Sequence, residues 1–230
     1  MADHQRVLVF DADDTLWETN LHFNRTFSGF TEWLGGLEVT PERVQETFVR
    51  IEEENVRRFG YGTAVFVRNL HDTLVQVIGR PATPDEQSRV DALAADLLLH
   101  RADPMPRAAD TLTTLGQRNR MILLTKGVEA EQRAKIDTSG LATHFEHLLV
   151  VQEKDVGTYQ KLIADHALDP ATTWMIGNSP MSDINPARAA GLNAVLIPNE
   201  HTWALERAEI DTTDERILQL TSFDQLTAHF

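Results

Sequence analysis

The stretch Val7-Leu8-Val9-Phe10-Asp11-Ala12-Asp13-Asp14-Thr15-Leu16 decides the fold. Its first four residues form an unbroken apolar run of strand length, and three carboxylates follow within four positions. A short apolar run without polar alternation reads as a strand buried on both faces. Acids at its carboxyl end then stand where open α/β sheets bind their ligands. Asp11 and Asp13 are expected to share a face wherever the chain stays extended, because side chains two apart do so. Like charges this close repel and raise one another's pKa, so the cluster suits a cation or a proton-transfer role. Read alone, Asp13-Asp14-Thr15 serves equally as a strand end and helix cap.

Working outward, similar apolar runs recur at 121–125, 148–151 and 174–177, with a fifth at 194–198. Stretches of helix size and amphipathic character lie at 106–118, Glu129–Ser139, 158–167 and 185–190. Strand alternating with helix predicts an α/β fold, a Rossmann-like doubly wound parallel sheet, because parallel neighbours need crossover connections. The interval from Trp17 to Arg101 breaks the alternation. It holds no apolar strand and reads as several amphipathic helices, including Pro41–Phe59 and 84–99, separated by turn signals at Gly35-Gly36, Gly60-Tyr61-Gly62 and Gly79-Arg80-Pro81. The expected organisation is a core of residues 1–16 and 102–230 with an inserted all-helical cap at 17–101. An insertion directly after the acidic cluster is expected to lie over it as a lid. Beyond His201 the pattern weakens, with a helix opening near Thr202-Trp203 and a turn at Thr221-Ser222-Phe223-Asp224 leading into a last helix.

The 230 residues carry a formal charge of −14. That balance argues against binding a nucleic-acid backbone, whose phosphates would be repelled. An anionic substrate must instead meet a local concentration of positive charge or a metal ion. The chain has no cysteine, which excludes disulfides, thiolate catalysis and Cys-based zinc sites. No segment approaches the length of a signal core or membrane span, so the expected location is cytoplasmic, with no membrane partner. The nine histidines show no metal-ligand spacing.

Each strand-like run ends in polar residues of a different kind. The run at 121–125 leads into Thr125-Lys126-Gly127, a hydroxyl, an ammonium and a flexible backbone able to present N–H groups to an anion, or an ordinary helix cap. The run at 148–151 is followed by Gln152-Glu153-Lys154-Asp155, where Lys154 offers a point charge for phosphate or for an ionised carboxylate. The run at 174–177 leads into Gly177-Asn178-Ser179-Pro180-Met181-Ser182-Asp183, placing Asp183 either as a cap or as an oxygen ligand for a hard divalent cation shared with Asp11.

In this order, Asp11-x-Asp13-x-Thr15, Thr125, Lys154 and Gly177-x5-Asp183 resemble the four motifs of the haloacid dehalogenase superfamily, in which phosphatases predominate. The likeness runs from the first strand to residue 191. It implies that Asp11 is the nucleophile forming an aspartyl-phosphate and that Asp13 is the general acid and base. It further implies that Thr125 and the Lys126 amide hold phosphoryl oxygens and that Lys154 offsets charge beside Asp11. Mg2+ would be held by Asp11, the Asp13 carbonyl and Asp183. Asn178 stands where many members have Asp and remains a candidate metal contact, and Asp14 stands where many have Gly. The namesake dehalogenases lack the second acid, so Asp13 favours phosphate-ester hydrolysis. Phosphonate cleavage through a lid lysine is disfavoured, since no lysine precedes Lys126.

The expected activity is hydrolysis of a small phosphorylated metabolite by a monomer or homodimer. The alternatives are a phosphoryl-transferring mutase, a 2-haloacid dehalogenase, or a catalytically idle binding or scaffold protein of the same fold. Substrate choice is expected to reside in the insertion, with Trp17 and the Arg57-Arg58-Phe59-Gly60-Tyr61-Gly62 stretch as candidate contacts. Trp17 is equally a candidate for core packing and the arginines for a solvated helix face.

Overall fold

The computed structural model of the protein describes residues 6–230. In chain order, β1 (Val7–Phe10) and the two-residue β2 (Trp17–Glu18) precede four helices, α1 (Asn20–Gly35), α2 (Pro41–Phe59), α3 (Thr63–Ile78) and α4 (Pro84–Ala94). Then follow β3 (Asp103–Pro104), α5 (Ala108–Leu115), β4 (Arg120–Lys126), α6 (Glu129–Ser139), β5 (His147–Val151), α7 (Val156–Asp165), β6 (Thr173–Gly177), α8 (Asn185–Ala189), β7 (Asn193–Leu196) and β8 (Ile217–Gln219). Two compact units divide the chain, one formed by Leu21–His100 and the other by the residues up to Asn20 together with Arg101–Phe230. Residues 17–20 therefore group with the sheet unit rather than with the helices that follow.

The sheet unit is a doubly wound α/β fold. Six parallel strands run in the order β5-β4-β1-β6-β7-β8. The chain builds from β1 through β4 to β5 on one side, then returns to the other side of β1 with β6. That reversal makes the carboxyl end of β1 a topological switch point, the place where such sheets open a crevice for ligands. The burial of β1 explains its composition. Leu8 and Phe10 pack on one face among Leu112, Leu115, Leu123 and Phe145, while Val7 and Val9 pack on the other among Ile122, Leu124, Tyr159 and Met175. With helices on both faces, neither set of alternate side chains has a reason to be polar.

The strand pattern differs from expectation at the tail. The segment after His201 contributes a sixth strand, β8, paired with β7 from Ala194–Ile217 to Leu196–Gln219, and its final helix is only the 3-10 segment Phe223–Ala228. Ile217 and Leu218 are half-buried at the sheet edge, so the run is too short and too little apolar to announce itself. Within the sheet unit, Trp17–Glu18 also pairs antiparallel with Asp103–Pro104.

The Leu21–His100 unit has its own core, built from Phe30, Leu34, Phe48, Phe66, Leu70 and Leu74 with neighbours from all four helices. Phe27 and Phe48 have ring centroids 4.5 Å apart, and Phe23 meets Phe66 edge-on at 4.8 Å. Thr40 caps α2 ahead of Pro41, and Thr83 with Glu86 forms a capping box on α4, so its helix starts are written locally in the sequence. The 84–99 helix ends earlier than expected, at Ala94, with a 3-10 turn at Leu97–Leu99. Among the described residues, no helix is long and apolar enough to cross a membrane.

Candidate active site

The polar residues that follow the strands meet at the carboxyl ends of β1, β4, β5 and β6. Asp11, one residue beyond β1, accepts a hydrogen bond from Lys154 Nζ at 2.5 Å on Oδ1 and from Thr15 Oγ1 at 2.8 Å on Oδ2. Lys154 also donates to Asp183 Oδ1 at 2.8 Å. Two carboxylates and one ammonium thus form a buried triad drawn from three strand ends, with the Lys154 and Asp183 side chains each 1% exposed. Burial works against the Lys154 charge, yet the carboxylates of Asp11 and Asp183 outweigh it and hold the lysine pKa above its ordinary value. For Asp183, burial and then repulsion from Asp11 push the pKa up to about 7, against the pull of Lys154.

Local structure places Asp183. After β6 the chain makes a π-helical turn, Pro180–Ile184, capped by the Ser179 hydroxyl, which accepts from the Ser182 N–H at 2.9 Å. Ser179, not Asp183, is therefore the cap, and the Asp183 carboxylate is free to face the triad while its Oδ2 accepts from the Ser179 N–H at 3.0 Å. Single π-turns are frequent at functional sites. Gly177 is required by the packing, because a Cβ there would lie 2.2 Å from Asp183 Oδ2. Gly177→Ala is expected to displace Asp183 and to cost roughly 2–4 kcal/mol, on the scale of overpacking against a buried polar network. Chemical denaturation checks this, and a midpoint equal to wild type would contradict it.

Asp13 occupies different surroundings from Asp11, and the two share no hydrogen-bond donor. Lys135 Nζ lies 2.6 Å from both Asp13 oxygens, Gln132 Nε2 donates to Oδ2 at 2.9 Å, and Trp17 Nε1 and Thr19 Oγ1 donate to Oδ1 at 2.7 and 2.8 Å. Both acids lie beyond the last residue of β1, Phe10, and they sit in separate hydrogen-bond sets although only two residues apart. Burial opposes ionisation of Asp13, but the Lys135 charge and the hydrogen bonds from Lys135, Gln132 and Thr19 prevail and hold its pKa below the usual carboxylate range. Resting Asp13 is a carboxylate. Asp14, in the left-handed region at φ 62°, accepts from the Thr19 and Asn20 N–H groups at 2.9 Å each and so caps α1. Burial, with the charges of Asp13 and Asp11 adding to it, pushes its pKa up to about 7.

The other expected site residues are distributed as follows. Thr125 is buried and donates to Gln132 Oε1 at 3.1 Å. The Lys126 side chain turns away from the triad to Glu206 at 2.5 Å, Ser182 Oγ at 2.8 Å and Glu153 at 3.2 Å, leaving its backbone as the part available to an anion. Asn178 accepts from Thr15 Oγ1 at 3.3 Å and donates to Thr202 Oγ1 at 3.0 Å, so both ends of its amide tie the loop together. Trp17 is fully buried in the sheet-unit core, which answers the choice between packing and substrate contact in favour of packing. Arg57 pairs with Glu53 at 3.5 Å on an exposed helix face, and the Arg58 guanidinium lies 4.9 Å from the Phe59 ring centroid.

Sequence reasoning missed Gln132 and Lys135. Both are buried on the inward face of α6, together with Ile136 and Ser139. The amphipathic character expected of Glu129–Ser139 does not hold, because its inward face is largely polar: a crossover helix packed on a sheet should carry an apolar stripe, whereas Glu-Ala-Glu-Gln-Arg-Ala-Lys-Ile-Asp-Thr-Ser has none.

The donor set fits a magnesium ion. Among the described residues no three or more carboxylate, imidazole or thiol groups are placed together so that they could hold a metal ion by themselves. Asp11 and Asp183 are a pair, joined through one ammonium, and magnesium uses one or two protein carboxylates beside water and substrate phosphate. The raised pKa values of Asp14 and Asp183 make metal-free folding proton-linked. A carboxyl raised in the folded state binds protons on folding, so its contribution is lost as pH rises from the unfolded value near 4 through about 7. In a chelator, the melting temperature is expected to fall between about pH 5 and about pH 8, and a rise across that window would contradict the assignment.

Comparison with known proteins agrees with this geometry. A family model for haloacid dehalogenase-like hydrolases matches residues 5–191. The chain is 33% identical over 82 residues to a phosphoserine phosphatase of Thermus thermophilus, covering 34% of this chain and 33% of that one. It spans under half the length of the first curated relatives it matches. A glyceraldehyde 3-phosphate phosphatase of Methanothermobacter thermautotrophicus is 22% identical with 96% of each chain covered. Among solved structures, a haloacid dehalogenase-like hydrolase of Xanthomonas campestris superposes with a TM-score of 0.85 at 24% identity, covering 98% of this chain and 94% of that one. The L-2-haloacid dehalogenase of Xanthobacter autotrophicus shares the fold with a TM-score of 0.65 at 17% identity, covering 97% of each. With the family matched over most of its length and the motif residues gathered at the sheet's switch point, the chain belongs to the haloacid dehalogenase-like hydrolases.

Proposed function

We propose that the protein is a magnesium-dependent phosphatase acting on a small phosphomonoester through an aspartyl-phosphate. The observation that carries this reading is the pairing of two differently tuned carboxylates. Asp11 sits in a buried triad with Lys154 and Asp183, and Asp13, two residues on, is held separately as a carboxylate. A dehalogenase needs no second acid, and a scaffold has no use for two buried carboxylates sharing one ammonium.

In the first half-reaction, an Asp11 oxygen attacks phosphorus while the P–O bond to the leaving group breaks, and Asp13, a carboxylate at rest, passes to the departing oxygen the proton that the substrate monoanion brings in. Thr125 and the Lys126 amide hold phosphoryl oxygens, and Lys154 offsets the charge around Asp11. In the second half, Asp13 takes a proton from water, which attacks phosphorus and releases Asp11 and inorganic phosphate. The proton drawn from water then passes from Asp13 to the released phosphate, which restores the resting carboxylate. Held by Asp11, Asp183 and the Asp13 carbonyl, magnesium would neutralise charge on the transferring phosphoryl. The helical insertion selects the substrate.

A panel of phosphomonoesters including phosphoserine and glyceraldehyde 3-phosphate, assayed with magnesium, tests the reading. Release of inorganic phosphate from at least one is expected, with no halide from 2-chloropropionate. Halide release without phosphate release would replace the phosphatase with a dehalogenase, and phosphate appearing on a second hydroxyl rather than in water would indicate a mutase.

A further inference from the structure

We propose that Gln132 and Lys135 are positioning residues that clamp the Asp13 carboxylate in one orientation and couple it to the phosphoryl-binding hydroxyl of Thr125. The inference rests on the phosphatase reading for its catalytic meaning, but the clamp itself is a matter of geometry. Gln132 uses both ends of its amide: Oε1 accepts from Thr125 Oγ1 at 3.1 Å, and Nε2 donates to Asp13 Oδ2 at 2.9 Å. Lys135, one helical turn further along α6, reaches both Asp13 oxygens at 2.6 Å. Residues three apart on a helix stand side by side on one face, so a single rigid element sets both contacts.

Gly127 points independently to the same pair. Its φ of 140° lies in the region that only glycine adopts readily, and a Cβ there would sit 3.0 Å from Gln132 Nε2. The turn after β4 is thus shaped around the Gln132 amide. Trp17 and Thr19 complete the clamp from the opposite side of the chain turn, and both bond Asp13 Oδ1. The neutral amide of Gln132 has no charge to contribute, so its part in this arrangement is orientation. When phosphoryl oxygens engage Thr125, the same amide fixes where the proton-transferring group stands.

The Trp17 indole offers a readout that does not depend on turnover, because its N–H bonds the clamped oxygen at 2.7 Å. In a 1H–15N spectrum of the full chain, with the resonance identified by Trp17→Phe, Gln132→Met and Lys135→Met are each expected to shift or broaden the Trp17 indole signal and leave the other three tryptophan indoles in place. An unmoved Trp17 signal in both variants overturns the clamp. The catalytic half is read from two substrates with magnesium. Glycerol phosphate must have its leaving alkoxide protonated, whereas p-nitrophenyl phosphate leaves as a stable phenolate. Gln132→Met is expected to lower kcat for glycerol phosphate by about tenfold or more and for p-nitrophenyl phosphate by less than about threefold, with little change in either KM. Lys135→Arg should recover part of any loss seen in Lys135→Met, and it serves as the variant of choice if the methionine form does not fold. Equal losses on both substrates overturn the positioning role while leaving the phosphatase reading intact. A wild-type protein that releases phosphate from neither substrate, nor from the wider panel, removes the phosphatase reading and with it the catalytic half, and the indole spectra still decide the clamp.

Discussion

Asp11→Asn is expected to reduce phosphate release by roughly 10³-fold or more, because the variant keeps the shape of the side chain but loses the oxygen nucleophile. The protein should remain folded. Lys154 keeps Asp183 as a charged partner at 2.8 Å, and the amide oxygen at position 11 still accepts its second hydrogen bond. Removing the Asp11 charge also removes one of the two influences that raise the Asp183 pKa, the other being burial. The variant is therefore expected to show a flatter dependence of stability on pH in chelator than wild type does. Phosphate release at the wild-type rate would remove Asp11 from the nucleophile's role, and a loss of folded protein would leave the triad as a structural element first.

Lys154→Met should have the largest effect on stability. The ammonium is buried between Asp11 and Asp183, and its removal leaves two buried carboxylates with no positive charge between them. Breaking a buried charge network by deleting one member costs about 3–5 kcal/mol. The sign of the pH dependence follows from the same geometry. Without the lysine, the two acids can share the site only when at least one is protonated, so the variant is expected to be closest to wild type at acid pH and furthest from it above neutrality. Urea denaturation at about pH 5 and about pH 8 measures this. A destabilisation equal at both values, or none, would show that the charges are not coupled as the distances indicate. Activity should fall as well, since the positive charge that offsets Asp11 beside an anionic substrate is gone.

Much of this was legible in the sequence for a physical reason. A central parallel strand has no polar face, so Val7–Phe10 could be read directly, and the acids after it lie where such sheets bind ligands. Lys154 and Asp183 were placed beside Asp11 by the resemblance of their motifs, and they meet there because the loops after parallel strands converge on one end of the sheet. Other features were hidden for reasons as specific. The edge strand β8 is short and half-buried, which deprives it of pattern. The separate surroundings of Asp13 come from Trp17, Thr19, Gln132 and Lys135, partners that no residue in Asp11-Ala12-Asp13 marks. Gln132 and Lys135 carry side chains of types that are ordinarily exposed, and only the missing apolar stripe of α6 marks them as buried. Lys126 was read through its place after Thr125, yet its ammonium is drawn to Glu206, a residue 80 positions further along the chain.

The helical insertion illustrates a different limit. Its helices are announced by local signals, Thr40-Pro41 and Thr83 with Glu86, and its core by the periodic aromatic residues that fill it. Nothing in those signals names a ligand. Within the phosphatase reading, specificity belongs to this unit and chemistry to the other. Substitutions at Arg57 or Arg58 should therefore change KM among substrates more than they change the rate of the chemical step on any one of them.

The most direct test of the central claim is to quench the magnesium-loaded protein during turnover of a phosphomonoester and locate the adduct by mass spectrometry. The account predicts a phosphoryl group on the peptide carrying Asp11, labile to hydroxylamine as an acyl phosphate must be, and absent from Asp11→Asn. Turnover with no adduct on Asp11, or with the phosphoryl group on another side chain, would contradict it.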